Sequence, residues 1–180
     1  MKKNNFLNLD FKFFFLIPYL IWLLFIIIYI FNSELIKAGE LSGFIKYGND
    51  SSTYLNNAEK LANFDFSNLD ISKLSYIVLI AVVMFLKLNL VTIVILQFLT
   101  TIISSFCLYL IGKKIYSKWV GLICLSFFLT YLPIQLRNFY VLTEMLFINF
   151  SIILVYLVFF NKDKKILISL ITIFILFLRP

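Results

Sequence analysis

The sequence predicts an all-α fold, a polytopic transmembrane helix bundle, and three observations carry that prediction. Of its 180 residues 62% are hydrophobic and only 14% are charged, against roughly 25% charged in a water-soluble domain. The apolar residues gather into runs, several long enough to cross a bilayer as helix. The basic residues sit in short clusters between those runs, Lys2, Lys3 and Lys12, then Lys113, Lys114 and Lys118, then Lys162, Lys164 and Lys165, which is how topology signals are placed in membrane proteins. The net charge of +7 is therefore an orientation signal with affinity for anionic inner-leaflet lipid, and nucleic acid is excluded as a partner. Five Gly, three Pro and two Cys exclude disordered, collagen-like and disulfide-stapled classes. The lack of His removes most zinc chemistry and any His-based acid/base pair. Cys107 and Cys124 lie inside apolar runs without CxxC spacing and read as packing residues.

The first apolar run, 13–31, makes about 28 Å of helix and spans. The residues after it show no small-residue cleavage pattern, so the run is an uncleaved anchor. Residues 32–73 form a long polar outer loop, and loops of that length usually carry a role. Within it Tyr54, Leu55, Ala58, Leu61 and Ala62 make the stripe of an amphipathic helix that lies on the membrane surface. The run 74–86 makes about 20 Å of helix, short for a span. Read as a helix dipping into the outer leaflet, it leaves both later lysine clusters on the side of the N-terminus; read as a full crossing, it violates the positive-inside rule twice. The dipping reading is the consistent one. Spans over 88–111, 119–132, 140–160 and 166–178 complete about five crossings, with the N-terminus cytoplasmic in a plasma (inner) membrane protein. The last run is short and closes on Arg179-Pro180, an unusual stop, which predicts that the chain is the N-terminal part of a longer protein.

Three places on the outer side carry polar chemistry. Asp50 precedes the amphipathic helix. It is either an N-cap or Asx-turn residue or an outward carboxylate able to take a proton from a hydroxyl. Glu144 lies near the outer end of an apolar run, where an ionisable residue is a functional candidate by default; the alternative is a salt bridge to Arg137, seven residues earlier and on the same face of a continuous helix. Arg137 and Arg179 are the only arginines, and they either snorkel to the interface or receive a phosphate. Thr100, Thr101, Ser104 and Ser105 are small-residue pairs of the kind that let membrane helices approach closely. Trp22, Trp119, Tyr116 and Tyr140 include interfacial belt residues. There is no Gly-rich phosphate loop, no GxSxG and no metal-binding cluster of His or Cys.

In order along the chain, Asp50-x-x-x-Tyr54-x-x-x-Ala58-x-x-Leu61, then Leu110-Ile111-Gly112-Lys113-Lys114-Ile115-Tyr116, then Pro133 with Val141-Leu142-Thr143-Glu144, then Leu178-Arg179-Pro180 are similar to motifs of polytopic glycosyltransferases of the GT-C type. That group includes the bacterial aminoarabinose transferases and protein O-mannosyltransferases. The resemblance implies inverting transfer of a sugar from a polyprenyl-phosphate donor to an acceptor hydroxyl on the outer face, the acceptor itself being undefined. It assigns Asp50 as general base and Tyr54, Arg137, Glu144 and Arg179 as substrate-binding. The arginines would stabilise the departing phosphate, and Glu144 would position one of them or bind a divalent cation. Many members carry a second acid beside the loop aspartate; here that place is Ser51, which puts a two-carboxylate or metal-binding role of the loop in doubt. The competing reading is a non-enzymatic membrane protein, such as a small transporter or flippase subunit, or an inactive remnant.

Overall fold

The computed structural model describes residues 5–32, 50–67 and 73–178. The expected all-α class is found: every regular element among them is helical. Helix α1 covers Asn5–Asn32, α2 Ser51–Ala62, α3 Leu74–Phe85 and α4 Val91–Ile115. Helix α5 covers Lys118–Thr130 and α6 is a single turn, Leu132–Gln135, continued by a 3-10 turn over Leu136–Phe139. Helices α7, Glu144–Phe160, and α8, Lys165–Leu176, complete the chain.

Two helices are long and apolar enough to cross a membrane, Phe14–Phe31 of α1 and Val91–Ile115, which is α4. A third crossing is available if α5 and the segment Leu132–Phe139, bent by 58° against each other, count as one broken span. Helices α3, α7 and α8 are apolar but shorter, 10–17 residues, so two or three candidate crossings stand where the sequence predicts about five. The bend has a simple cause. Pro133 stands in the first turn of α6, and a proline there cannot continue the α5 hydrogen-bond ladder. The run 140–160 likewise does not start as helix: Tyr140 is extended and α7 begins only at Glu144.

The bundle is organised around α4. Helix α1 lies beside it in the opposite sense, since Phe15 packs edge-on to Tyr109 while the later Tyr19 hydroxyl pairs with Ser105 Oγ at 3.0 Å and Trp22 reaches Phe98. Helix α5 folds back along α4 after Ser117, whose hydroxyl accepts from the Val120 amide. Helix α7 runs in the same sense as α4: Asn149 bonds Thr100 and Thr101, and further on Lys114 lies over Phe160. One end of the bundle therefore gathers the C-termini of α4 and α7 and the N-termini of α5 and α8. Phe14 packs on Trp119 there, so the early part of α1 is at the same end. The other end gathers α2, α3 and the 131–143 connection.

Packing between α4 and α7 is polar at its centre. Asn149, fully buried, accepts from Ser104 Oγ at 2.7 Å and donates to Thr100 and Thr101; Thr101 also donates to Asn138. The small-residue stripe is thus a helix interface, as its spacing suggests. Gln135 extends the belt to α1, accepting from the Trp22 indole at 2.8 Å and from Asn138.

Candidate functional site

Helix α2 is amphipathic, and its buried face carries Ser51, Tyr54, Asn57 and Ala58. It lies against α3 in the same sense, since Tyr54 meets Tyr76 edge-on at one end and Phe64 meets Phe85 at the other. Asp50 occupies the N-cap position of α2, yet its side chain makes no capping bond. The carboxylate turns instead to Lys73, 3.3 Å from Nζ to Oδ2, and accepts from the Tyr54 hydroxyl on the same oxygen. Lys73 also donates to Tyr54 Oη. Oδ1 of Asp50 has no partner among the described residues, and the side chain is 61% exposed. The capping reading of Asp50 is therefore not realised, and one carboxylate oxygen faces outward.

Lys73 precedes α3 in the left-handed region at φ 63°, where a residue with a β-carbon is strained. Its hydrogen bond to Tyr54 raises the ammonium above the ordinary lysine range. Burial raises the Tyr54 hydroxyl in turn, against the opposing pull of Lys73.

Glu144 opens α7, where the helix N-terminus favours a negative charge. Its Oε1 stands 3.6 Å from Arg137 Nη1, while Oε2 is buried without a hydrogen-bond donor. The salt bridge that seven-residue spacing suggests is present, but it crosses the break between two helical segments instead of running along one helix face. Arg137 sits in the 3-10 turn, and extended Tyr140 with the residues after it returns the chain to Glu144.

Two links hold the Asp50 cluster at the same end as this pair. Ser51 Oγ donates to the Val141 carbonyl at 2.8 Å. Gln97, inside α4 and fully buried, donates toward the carbonyls of Tyr140 and Leu142 and the Tyr76 hydroxyl, leaving its own Oε1 without a donor. Tyr54, Tyr76, Val141 and Leu178 share one core cluster. Arg179 lies outside the described residues, as do 33–49 of the predicted outer loop; Leu178, just before Arg179, is buried in that cluster. The sequence-proposed site residues that fall among the described ones, Asp50, Tyr54, Arg137 and Glu144, are thus brought to one end of the bundle.

Sequence reasoning passed over Lys73, Tyr76 and Gln97. Only Gln97 left a signal: an amide inside an otherwise apolar run. An apolar groove of about 340 Å³, bordered by Leu61, Phe64, Val78, Val82 and Phe85, lies along the distal half of the α2–α3 pair. For a divalent cation the donor set is thin. Glu144 offers one oxygen and carries Arg137 on the other, and no group of three His, Cys, Asp or Glu side chains stands together among the described residues. The described residues do not make a metal site by themselves. Comparison with known proteins finds no matching family model, curated protein or solved structure.

Proposed function

We propose that the chain is a membrane glycosyltransferase module of the GT-C type, moving a sugar from a polyprenyl-phosphate donor to an acceptor hydroxyl at the outer membrane surface. The observation that carries the reading is the outward carboxylate oxygen of Asp50, poised at the same end of the bundle as the Arg137–Glu144 pair. Asp50 Oδ1 takes the proton of the acceptor hydroxyl, whose oxygen attacks the anomeric carbon with inversion. The bond to the lipid phosphate breaks, and the phosphate leaves carrying the negative charge. Arg137, half exposed and oriented by Glu144, receives that charge, together with Arg179. Lys73 and Tyr54 hold the other Asp50 oxygen and so aim the free one. The apolar groove beside α2 and α3 suits a lipid donor whose reactive bond lies at headgroup level. No metal step is included. In this reading the bundle crosses a plasma membrane about five times, with α3 dipping into the outer leaflet and the lysine clusters inside.

The test uses the chain as it stands, reconstituted with radiolabelled lipid-linked sugars and acceptor-containing membranes extracted from its host. Transfer should occur, and Asp50→Asn should reduce it by about 10² to 10⁴-fold, the usual contribution of a general base, while membrane insertion is unchanged. Undiminished transfer by Asp50→Asn would remove Asp50 as the base. Absence of transfer by the unaltered chain would favour the non-enzymatic reading, a small transporter or flippase subunit or an inactive remnant.

A further inference from the structure

The end of the bundle opposite Asp50 carries a second feature that sugar transfer does not use. Helices α4 and α7 arrive there side by side and leave an open pocket of about 400 Å³, lined by Leu110, Lys113, Lys114, Tyr156 and Phe160. Both lysines are exposed, and neither is in an ion pair among the described residues. Each ammonium is instead held near an aromatic face, Lys114 Nζ at 4.3 Å from the Phe160 ring centre and Lys113 Nζ at 5.9 Å from that of Tyr109. The following turn adds Lys162, Lys164 and Lys165 against one acid, Asp163.

The charge balance decides what this pocket accepts. Two helix C-termini meet here, and each presents about half a negative charge. Lys113 and Lys114 more than offset them, and the N-termini of α5 and α8 at the same end add to the positive side, so the mouth of the pocket is net positive. A net positive mouth suits a phosphodiester, which carries one negative charge. Below the ammonium groups the wall turns apolar, with Leu110 one turn deeper in α4 and Tyr156 and Phe160 on α7. A free anion has no use for that wall, whereas a lipid presents a phosphate to the mouth and acyl chain to the rings. A zwitterionic headgroup would bring a cation into a pocket that is already positive.

The geometry points to this pocket as a binding site for the headgroup of an anionic glycerophospholipid, with Lys113 and Lys114 on the phosphate and the Leu110, Tyr156 and Phe160 wall on the proximal acyl chain. The probe is a competition. The purified full chain in neutral detergent is mixed with equal amounts of phosphatidylglycerol and phosphatidylcholine, and native mass spectrometry reads the ratio retained. The unaltered chain should retain the anionic lipid about thirtyfold over the zwitterionic one, as expected for two interfacial lysines at about 1 kcal/mol each. K113Q/K114Q should bring the ratio near one, K114Q alone should fall between, and K113R/K114R should keep the preference. The neighbouring pair K164Q/K165Q, outside the pocket, should also keep it. Excess inorganic phosphate should not displace the lipid. Equal retention by the unaltered chain, or equal loss in the 164/165 pair, would reduce the effect to diffuse surface charge and overturn the site. Displacement by inorganic phosphate would make the free anion the ligand and overturn it as well.

Discussion

At the scale of single residues, Asp50 shows how far a sequence reading reaches. Spacing put Asp50 before a helix, and there it stands, but an N-cap aspartate and an ion-paired aspartate are indistinguishable in one dimension. The choice is made by Lys73, 23 positions later, whose left-handed backbone turns it back onto Asp50 and Tyr54. The trio has a pH consequence. Lys73 is raised by its bond to Tyr54, and Tyr54 is raised by burial. A raised group binds protons more tightly in the folded state, so its stabilisation is complete below the unfolded pKa and is lost as pH rises through the folded value. The docking of α2 on α3 should therefore hold at neutral pH and weaken only above about pH 10, where free tyrosine and lysine begin to lose protons. Amide hydrogen exchange of α2 against α4, corrected for the intrinsic rise with pH, reads this directly: protection of α2 should fall selectively in the alkaline range. A parallel loss in both helices would deny the trio that role. Lys87 is a second case. It separates two apolar runs in the sequence, but its physical role is a helix stop, at φ 54° with the Leu88 amide bonded back to the Val83 carbonyl, the position that favours glycine. Lys87→Gly should relieve strain and stabilise the chain by about 1 kcal/mol, measured as a higher denaturant midpoint in detergent.

At the scale of elements, helix-to-helix distance is set by residues that composition only counts. Gly112 of α4 and Gly121 of α5 face one another so closely that a β-carbon on Gly112 would come within 2.7 Å of the Gly121 Cα. Nothing flexible is there to yield, because the opposing atoms are backbone. Gly112→Ala should force the helices apart and cost about 1 to 3 kcal/mol, the usual range for overpacking a tight contact, and unfolding in mixed detergent should show it, whereas Ser126→Ala on α5 should lie within about 0.5 kcal/mol. The pair was not legible from the sequence, since a glycine in an apolar run gives no sign of what lies opposite. The stripe Thr100, Thr101, Ser104 and Ser105 was legible as an interface because its periodicity is its own evidence. Its partner Asn149 was not, because one amide in an apolar run carries no periodicity. The predicted spans 119–132 and 140–160 came out shorter as helix because Pro133 and the residues after it divert the chain before α7 can begin.

At the scale of the whole molecule the proposed topology turns on α3. Twelve residues of α3 make about 18 Å of helix, well short of the roughly 30 Å hydrocarbon thickness. Length alone leaves room for local thinning, but the partner of α3 does not. Along its length α3 packs beside α2, from Tyr54 and Tyr76 to Phe64 and Phe85, and α2 presents Asn56 and Glu59 to its exposed side. A helix with that face is costly in hydrocarbon, which supports the proposed topology, in which the pair stays together at the interface and α3 does not cross by itself. The consequence is a parity. In the proposed topology residues on α2 and the α3–α4 turn lie on one side of the membrane and the turns after α4 and α7 on the other, at the end of the bundle where Phe14 packs on Trp119. With Cys107 and Cys124 replaced by Ala, single cysteines at Asn56, Lys87, Lys118 and Lys162 should divide two and two in their reaction with an impermeant maleimide added to intact cells: Asn56→Cys and Lys87→Cys labelled, Lys118→Cys and Lys162→Cys protected until the membrane is opened. Protection of Lys87→Cys while Asn56→Cys is labelled would make α3 a full crossing, carry both later lysine clusters to the outer face, and remove the lysine pocket from the inner leaflet where the proposed topology places it.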